Sequence, residues 1–335
     1  MKPYEELTLP GKLRRLRGLA EDALRQFGVT AVSLKLIGTD TNLIYRVWSD
    51  DGRQFALRIA NPKWRGAEAA VSEALWLDAL ARDTDIPVPQ MMHTATGDAV
   101  VLPQAAGAPT DRHAVLMSWL PGALLGKRLT AKNITKMGKL FAKLHQHGAS
   151  WQPPAGFTSK KFDQYLSRGE ENALFAEASL AAYDAQTEAT LRQMSEAVSQ
   201  TYAALDPADL RVIHCDLWHD NIKIHRGQLY PFDFEDTIWG YRLHDMAMAL
   251  LDLYEEVGHP AAYAQLLAAF RTGYEAHLPW PDGEMELLMF GRMLWKTNWF
   301  ARFWPEMLAK SAVFHAKLYT HYRQTGQLLP PRLPR

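Results

Sequence analysis

Oxygen-bearing side chains are concentrated in one short part of the chain, between residues 212 and 236. Its first segment reads VIHCDLWHDN and contains Asp216 and Asn221, and its second segment, YPFDFED, contains Asp233. Mg²⁺ takes oxygen ligands and is usually held by one or two carboxylates together with substrate phosphates. This order of carboxylate, amide and carboxylate is therefore typical of a site for magnesium and a triphosphate.

The spacing within this stretch is the second constraint. The segments together read H-x-D-x-x-x-x-N followed by D-F, which is the order of groups in catalytic loops of phosphoryl transfer. A competing interpretation is a transition-metal cluster of a hydrolase, because imidazole and carboxylate suit Zn²⁺ or Mn²⁺. That interpretation leaves Asn221 and Asp233 unexplained, so phosphoryl transfer is favoured. The cluster would consist of His214, Asp216, His219 and Asp220.

Three neighbours of Asp216 have simpler predicted roles. His214 is expected to fix the loop through a hydrogen bond, and Cys215 is expected to be buried and inert because no second thiol exists in the chain. Asp245 begins a predicted helix. Its carboxylate either caps that helix or binds backbone N–H groups of the loop and braces Asp216.

Overall composition places few limits on partners. The 335 residues carry 37 basic and 37 acidic side chains, so no net charge draws the chain to nucleic acid or to an anionic membrane. The N-terminus lacks the apolar run of a signal peptide, and no apolar segment is long enough to span a bilayer. The single cysteine excludes an internal disulfide. These features predict a cytoplasmic protein.

Hydrophobic periodicity divides the chain into a strand-rich first third and a helical remainder. In the first third, we predict a sheet of five or six strands with one inserted helix, and the segment WLPG at residues 119–122 ends it. The turn at residues 38–41 could let backbone N–H groups approach phosphates. The predicted elements are a lead-in helix at 12–27, strands at 31–37, 42–48 and 54–59, a helix at 66–82, and strands at 90–93, 99–102 and 114–119.

The remainder is predicted to be mainly helical. Thr130 caps a helix that ends at Gly148, two helices are expected within residues 162–204, and short strands accompany the acidic stretch. The strands are predicted at 212–214, 222–225 and 228–232, and later helices at 243–253, 261–276, 285–303 and 306–324. The domain prediction is a nucleotide-binding lobe at residues 1–120 and a catalytic and substrate-binding lobe at residues 121–335.

Arg58 and Glu73 give the first lobe a possible phosphate contact. Arg58 lies on the third predicted strand and Glu73 on the helix after it. A cation on this strand, oriented by a carboxylate on the next helix, is the device by which kinases hold the α- and β-phosphates. Alone the pair would be an ordinary ion pair, but Asp216, Asn221 and Asp233 follow it in the expected order.

These motifs resemble those of the aminoglycoside phosphotransferase and choline kinase-like family of small-molecule kinases. The resemblance extends from about residue 33 to 319, and the catalytic-loop match is its most specific part. It implies an α+β, bilobal, protein-kinase-like fold. A small N-terminal lobe holds an antiparallel β-sheet with one inserted helix, and the larger C-terminal lobe is mainly helical.

The resemblance also implies roles for individual residues. Asp216 would orient the substrate hydroxyl and accept its proton, while Asn221 and Asp233 would bind Mg²⁺. ATP would be the co-substrate, with GTP as the alternative. Arg58 would contact phosphate with Glu73 as its partner, and backbone groups of Ser118, Trp119 and Leu120 would contact the nucleotide base. Two positions depart from the family: Arg58 stands where lysine is usual, and Cys215 where glycine is commoner.

The acceptor is predicted to lie against one face of the helix at residues 285–303. Trp295, Trp299 and Arg302 are the candidate substrate residues, and cations at 292 and 296 share their face. This mixture disfavours a polycationic aminoglycoside and favours an acceptor with a carboxylate or a flat apolar part. Homoserine or another hydroxylated metabolite is preferred.

Two alternatives remain open. One is a protein Ser/Thr kinase of a bacterial stress-response type, which would need an extended activation segment, although His244 follows Asp236 closely. The other is a non-catalytic nucleotide-binding protein, which only the substitution of Arg58 for lysine favours.

Overall fold

The computed structural model describes residues 2–39 and 41–330. Asp40, in the turn predicted to approach phosphates, lies outside the described residues, as do Met1 and residues 331–335. The chain divides into two compact units. The first comprises Met1–Gly122, Gln152–Thr158 and Tyr230–Thr237, and the second comprises Ala123–Trp151, Ser159–Leu229 and Ile238–Arg335.

The first unit is built on an antiparallel sheet with the strand order β1-β2-β3-β4. One face of α1 buries Leu16, Leu19 and Leu24 in a core that includes Tyr45 and Phe55 from the sheet. Burial alternates along β2, as a period of two requires for a strand with one buried face. The elements are α1 (Leu9–Gln26), β1 (Ala31–Gly38), β2 (Leu43–Ser49), β3 (Gln54–Ile59), α2 (Ala67–Asp83) and β4 (Ala114–Ser118).

The prediction of five or six strands in this sheet is wrong, because the sheet has four. The two remaining segments make only isolated bridges to β4, one at Met91 and one at Val101. Pro89 and Pro103 flank these segments, and proline has no backbone N–H to donate to a ladder. The two apolar segments therefore lie beside β4, but they do not add strands to the sheet.

The second unit is mainly helical, with short strands around the acidic stretch. Strands β5, β7 and β8 form one small sheet in the order β5-β7-β8, and β6 pairs antiparallel with β9. The chain passes from the second unit into the first within β8. The elements are β5 (Ala123–Leu124), α3 (Ala131–Ser150), α4 (Glu177–Leu180), α5 (Ala185–Ala203), β6 (Leu210–Ile213), β7 (Ile222–His225), β8 (Gln228–Pro231), β9 (Ile238–Tyr241), α6 (Arg242–Val257), α7 (Pro260–Glu275), α8 (Met285–Phe303) and α9 (Pro305–Thr325).

Close packing of α3 against β6 positions the strand that leads to Asp216. A Cβ atom added to Gly148 of α3 would lie 2.0 Å from the carbonyl oxygen of Val212, so only glycine allows this approach. The helix does not stop at Gly148 as predicted, but continues to Ser150. Its N-cap is Thr130, whose side chain accepts a hydrogen bond from the N–H of Asn133, as predicted.

Residues 162–204 contain two helices, as predicted, of which α4 is short and α5 is long. Strand β9 was not predicted. None of the described helices has a segment apolar and long enough to cross a bilayer.

Candidate active site

In the first unit, Arg58 and Glu73 form a buried ion pair. Arg58 lies on the face of β3 opposite to Phe55, Leu57 and Ile59. Its side chain is 6% exposed, and the side chain of Glu73 is fully buried. The guanidinium contacts both carboxylate oxygens of Glu73, one of them at 3.1 Å. This bidentate arrangement is specific to arginine, because lysine presents a single ammonium.

Arg58 also approaches two carboxylates of the acidic segment at residues 233–236. Its Nη1 lies 3.8 Å from Oδ1 of Asp233 and 3.6 Å from Oε2 of Glu235. Burial by itself would lower the pKa of Arg58, but Glu73, Glu235 and Asp233 outweigh burial and raise it. Arg58 is therefore a permanent cation surrounded by acids.

Glu235 is held in place by neutral donors as well. Asn42 donates from Nδ2 to Oε2 of Glu235 at 2.7 Å, and the indole N–H of Trp64 donates to Oε1 at 2.9 Å. Arg65 stacks over the ring of Trp64 and forms an ion pair with Asp236 at 2.6 Å. None of these positions was predicted as a site residue, although Glu235 and Asp236 belong to the YPFDFED segment.

Asp233 differs from the two acids that follow it. Its backbone is left-handed, with φ of 65°, and its side chain is 41% exposed. A non-glycine residue in this region carries strain and is uncommon, although aspartate tolerates it better than most residues. The arrangement leaves a carboxylate accessible to a ligand at a backbone position that is costly to occupy.

In the second unit, Asp216 and Asn221 lie at the two ends of the predicted catalytic loop and are hydrogen-bonded to each other. Nδ2 of Asn221 donates to the carbonyl of Asp216 at 2.8 Å and to its Oδ2 at 3.1 Å. Oδ1 of Asp216 accepts from Arg292 at 3.2 Å, with the two side chains 25% and 24% exposed. The loop therefore presents a partly exposed carboxylate between an amide and a guanidinium.

Asp245 braces this loop from α6. Its Oδ1 accepts a hydrogen bond of 2.6 Å from the N–H of Cys215, and its Oδ2 lies 3.0 Å from Nε2 of His145. Burial would raise the pKa of Asp245, but His145 and His214 and the Cys215 N–H lower it overall. Burial lowers the pKa of His145, so its neutral ring donates to Asp245 and accepts from the hydroxyl of Tyr274.

The residues beside Asp216 are buried and lie within contact distance of polar neighbours. His214 is buried and its Nδ1 accepts from the N–H of Asp216 at 3.4 Å. Cys215 is buried, with Sγ 3.6 Å from Nε2 of His244. The φ of Cys215 is 70°, a left-handed conformation in which glycine has no steric cost. The family preference for glycine here thus has a physical cause.

The predicted base-binding segment is partly engaged within the first unit. The N–H of Ser118 donates to Gln90, and the N–H of Trp119 donates to the carbonyl of Gln54 at 3.0 Å. Leu120 is buried. The backbone N–H groups of Ser118 and Trp119 are therefore already hydrogen-bonded within the first unit.

The predicted acceptor residues all lie on α8, the helix that also carries Arg292, the partner of Asp216. Trp295 packs under Arg292, with 4.7 Å from the guanidinium carbon to the ring centroid, and its indole lies 3.3 Å from Oε1 of Glu170. Trp299 belongs to an aromatic group with Trp304. Arg302 is exposed, and ten residues of helix place it roughly 15 Å beyond Arg292. Trp295 shares Arg292 with Asp216.

The transition-metal interpretation has no support in the geometry. Within residues 2–39 and 41–330, no three His, Cys, Asp or Glu side chains are arranged to hold a metal ion. The contact that the sequence did not predict is the pairing of Arg292 with Asp216 across 76 positions. The sequence shows Arg292 at helical spacing from tryptophans, but this pattern does not identify the carboxylate that Arg292 contacts.

Comparison with protein-family models defines the class of enzyme to which the chain belongs. A model described as the phosphotransferase enzyme family matches residues 35–280, so the chain belongs to that family and is a phosphotransferase enzyme. No curated protein matches the chain in sequence.

Solved structures with the same fold include three small-molecule kinases or their relatives. The microcompartment-associated aminopropanol kinase is 22% identical, with a TM-score of 0.73, over 94% of this chain and 99% of that one. Amicoumacin kinase, in complex with AMP-PNP and Ca²⁺, is 16% identical, with a TM-score of 0.74, over 92% and 96%. A choline/ethanolamine kinase family protein from Mesorhizobium loti is 18% identical, with a TM-score of 0.59, over 94% and 96%. At these identities the likeness concerns the fold.

Proposed function

We propose that the protein transfers the γ-phosphoryl group of ATP to a hydroxyl group of a small molecule. The observation that carries this proposal is the hydrogen-bonded pair of Asp216 and Asn221. A partly exposed carboxylate is held by an amide nitrogen at 3.1 Å and a guanidinium at 3.2 Å, which orients it for a substrate hydroxyl. Positioning of this kind supplies much of the catalysis in phosphoryl transfer.

Asp216 is the proposed catalytic base. As the acceptor oxygen forms its bond to the γ-phosphorus, the bond from that phosphorus to the bridging oxygen of ADP breaks. The proton of the acceptor hydroxyl passes to Asp216, and ADP leaves with the bridging oxygen and its electron pair. His145 and Asp245 hold the loop backbone through the N–H of Cys215, so the carboxylate keeps its place during the transfer.

Asn221 and Asp233 are the proposed ligands of Mg²⁺. The amide nitrogen of Asn221 donates hydrogen bonds to Asp216. Its amide oxygen is the proposed ligand, because Mg²⁺ prefers oxygen donors. Asp233 offers an accessible carboxylate on a left-handed backbone. Each of these residues therefore offers the oxygen chemistry that Mg²⁺ takes, and the ion would neutralise charge on the phosphates during transfer.

Arg58, oriented by Glu73, is the proposed contact to the nucleotide phosphates. Its remaining acidic neighbours, Asp233 and Glu235, bring a surplus of negative charge, which a bound Mg²⁺ would relieve. Backbone groups of Ser118, Trp119 and Leu120 are the proposed contacts to the adenine base. The proposal also keeps the two predicted lobes, a nucleotide-binding lobe at residues 1–120 and a catalytic and substrate-binding lobe at residues 121–335.

The acceptor is proposed to be a small hydroxylated metabolite of the size of homoserine. Trp295, Trp299 and Arg302 are the proposed substrate residues, and Trp295 is the best supported because it shares Arg292 with Asp216. The names of the aminopropanol kinase and the choline/ethanolamine kinase family protein also indicate small alcohols.

A kinase screen against a panel of small hydroxyl compounds, with ATP and Mg²⁺, tests the proposed function. The expected result is phosphorylation of a small alcohol with stoichiometric formation of ADP. Phosphorylation of a generic protein substrate instead would favour the protein kinase alternative. Thermal stabilisation by ATP and Mg²⁺ without turnover on any acceptor would favour a non-catalytic nucleotide-binding protein.

A further inference from the structure

Two neighbouring side chains of the loop between β3 and α2 bind two neighbouring acids of the segment at residues 233–236. The indole N–H of Trp64 donates to Oε1 of Glu235 at 2.9 Å. Arg65 pairs with Oδ1 of Asp236 through Nε at 2.7 Å and through Nη2 at 2.6 Å. The guanidinium carbon of Arg65 also lies 4.2 Å from the centroid of the Trp64 ring, so the two side chains support each other. The proposed function gives neither of them a role.

Asn42, the residue before β2, connects the same loop to the same acid. Its Nδ2 donates to Oε2 of Glu235 at 2.7 Å, and its Oδ1 accepts from the N–H of Asn61 at 2.9 Å. Asn42 is buried, so water does not readily replace these hydrogen bonds. Each carboxylate oxygen of Glu235 therefore accepts a hydrogen bond from a neutral donor, and Glu235 cannot turn toward a ligand without losing both.

The three acids of this segment differ in their exposure as a result. The side chain of Asp233 is 41% exposed, whereas those of Glu235 and Asp236 are 11% and 15% exposed. Arg65 also compensates the charge of Asp236, which would otherwise repel the neighbouring carboxylates. The contacts of the loop therefore withhold two of the three acids and leave Asp233 as the most accessible one.

The same contacts fix the backbone that follows Asp233. Asp233 has a φ of 65°, and the turn Phe234–Asp236 comes directly after it. Phe234 is fully buried, with its ring edge-on to Trp76 of α2 at a centroid distance of 5.5 Å. Each of the three residues after Asp233 is therefore anchored by a side chain from elsewhere in the first unit. A strained conformation persists only where the surrounding contacts impose it, and these anchors meet that requirement.

We propose that Trp64 and Arg65 are positioning residues that hold the carboxylate of Asp233 in place for the metal ion. They act through Glu235 and Asp236, and neither of them contacts the ion. Release of either acid would let the turn relax, so the left-handed conformation of Asp233 would no longer be imposed and its carboxylate would move. The inference rests on the proposed function, in which Asp233 is a ligand of Mg²⁺.

Calorimetric binding of AMP-PNP to the full-length protein tests this role without turnover. Each titration is run twice, once with saturating Mg²⁺ and once with EDTA, so that the contribution of the metal ion is measured separately. Trp64→Phe keeps the ring and removes the N–H donor, and it should weaken binding with Mg²⁺ by roughly 10-fold. Arg65→Met removes the ion pair and should weaken it by roughly 10- to 100-fold. Both variants should leave the affinity measured with EDTA nearly unchanged, which a general loss of folded structure would not.

Three further variants complete the experiment. Arg65→Lys keeps the charge but not the planar guanidinium, so it should recover part of the affinity that Arg65→Met loses. Lys63→Met is the matched control, because it removes an exposed cation from the same loop and should change binding less than about 2-fold. Asp233→Asn removes the proposed ligand itself and should abolish most of the gain in affinity that Mg²⁺ provides.

The positioning role and the proposed function fail in different ways. A loss confined to Asp233→Asn, with wild-type affinities for Trp64→Phe and Arg65→Met, keeps the proposed ligand and overturns the positioning role. Equal losses with Mg²⁺ and with EDTA, or an equal loss in Lys63→Met, also overturn it. If Asp233→Asn binds AMP-PNP with Mg²⁺ as tightly as the wild-type protein does, Asp233 is not a metal ligand, and the inference fails together with that part of the proposed function.

Discussion

Each unit of the molecule contains an arginine–carboxylate pair at its candidate site, and the two pairs differ in burial and geometry. In the first unit, Arg58 and Glu73 are almost fully buried and bidentate. In the second, Arg292 and Asp216 are about one quarter exposed and share a single contact of 3.2 Å. The first pair cannot separate without leaving a charge unpaired in the interior, whereas the second can exchange partners with solvent or substrate.

This difference suggests a division of labour. A phosphate-binding cation gains from rigidity, because electrostatic stabilisation requires charges that are already in place. A catalytic base must instead release a partner to receive a proton. Burial of Arg58 by β3 and α2 provides the first property, and the partly exposed contact of Arg292 with Asp216 permits the second.

The strongest test of the second pair is Asp216→Asn. An amide can still accept a hydrogen bond from Arg292, but it cannot take the proton of the acceptor hydroxyl. We expect turnover to fall by roughly 10²–10⁴-fold, with little change in nucleotide affinity. Single-turnover kinetics and calorimetric binding of the nucleotide measure the two quantities. Near-normal turnover in this variant would remove Asp216 from the role of base.

The first pair is tested by Arg58→Met, which keeps length and removes charge. Glu73 would then remain buried without a partner, and the free energy of unfolding should fall by about 3–5 kcal/mol. Arg58→Lys keeps the charge but loses the second contact, so its loss should be smaller. Denaturant unfolding of both variants gives these values.

Arg53→Met is the matched control for this prediction. Arg53 pairs with Asp51 just before the same strand, but both side chains are exposed, at 57% and 44%. An exposed pair contributes about 0–1 kcal/mol. If Arg58→Met costs no more than Arg53→Met, the buried pair does not stabilise the first unit.

The two pairs also show how far sequence reasoning reaches. Arg58 and Glu73 are 15 residues apart on consecutive elements, and the order of groups typical of kinases predicts their pairing. The pairing of Asp216 with Asn221 is equally local. The contact of Arg292 with Asp216 depends on how α8 packs, and no periodicity within α8 specifies that.

The same limit applies to the backbone. The catalytic loop can be recognised in the sequence from the types and spacing of its side chains. The left-handed backbone conformations of Cys215 and Asp233 cannot, because the contacts of the folded chain set them. Apolar segments beside a sheet are likewise predicted as strands from composition alone. Whether they extend the sheet depends on their backbone hydrogen bonds, and the segments at Met91 and Val101 form only isolated bridges.

Acid should destabilise the second unit more than the first. Burial lowers the pKa of His244 and His315 in the second unit to about 3, and that of His113 in the first unit to about 4. The unfolded chain takes up these protons below a pH of about 6.5 while the folded chain does not, so stability falls as pH falls below that value. Each histidine should cost about 2 kcal/mol between pH 7 and pH 5.

Hydrogen exchange at several pH values resolves this prediction by unit. Amides of α6, α8 and α9 should lose more protection on acidification than amides of β2 and β3. His315→Gln removes one of the titrating groups, whose Nδ1 lies 2.8 Å from Thr297, and should flatten the pH dependence in the second unit alone. An equal loss of protection in both units would contradict the assignment.

The smallest expected effect concerns backbone strain at Cys215. Cys215→Gly and Cys215→Ala both remove the thiol, so their difference isolates the cost of a Cβ atom at φ of 70°. The glycine variant should be more stable than the alanine variant by about 1 kcal/mol. Asp233→Asn is the counterpart in the first unit. Because asparagine also tolerates the left-handed conformation, this variant should leave the free energy of unfolding nearly unchanged. It should weaken metal-dependent turnover, because it removes the proposed carboxylate ligand. If alanine and glycine are equally stable at residue 215, steric strain does not explain the family preference, and close approach of a substrate to this backbone becomes the better physical cause.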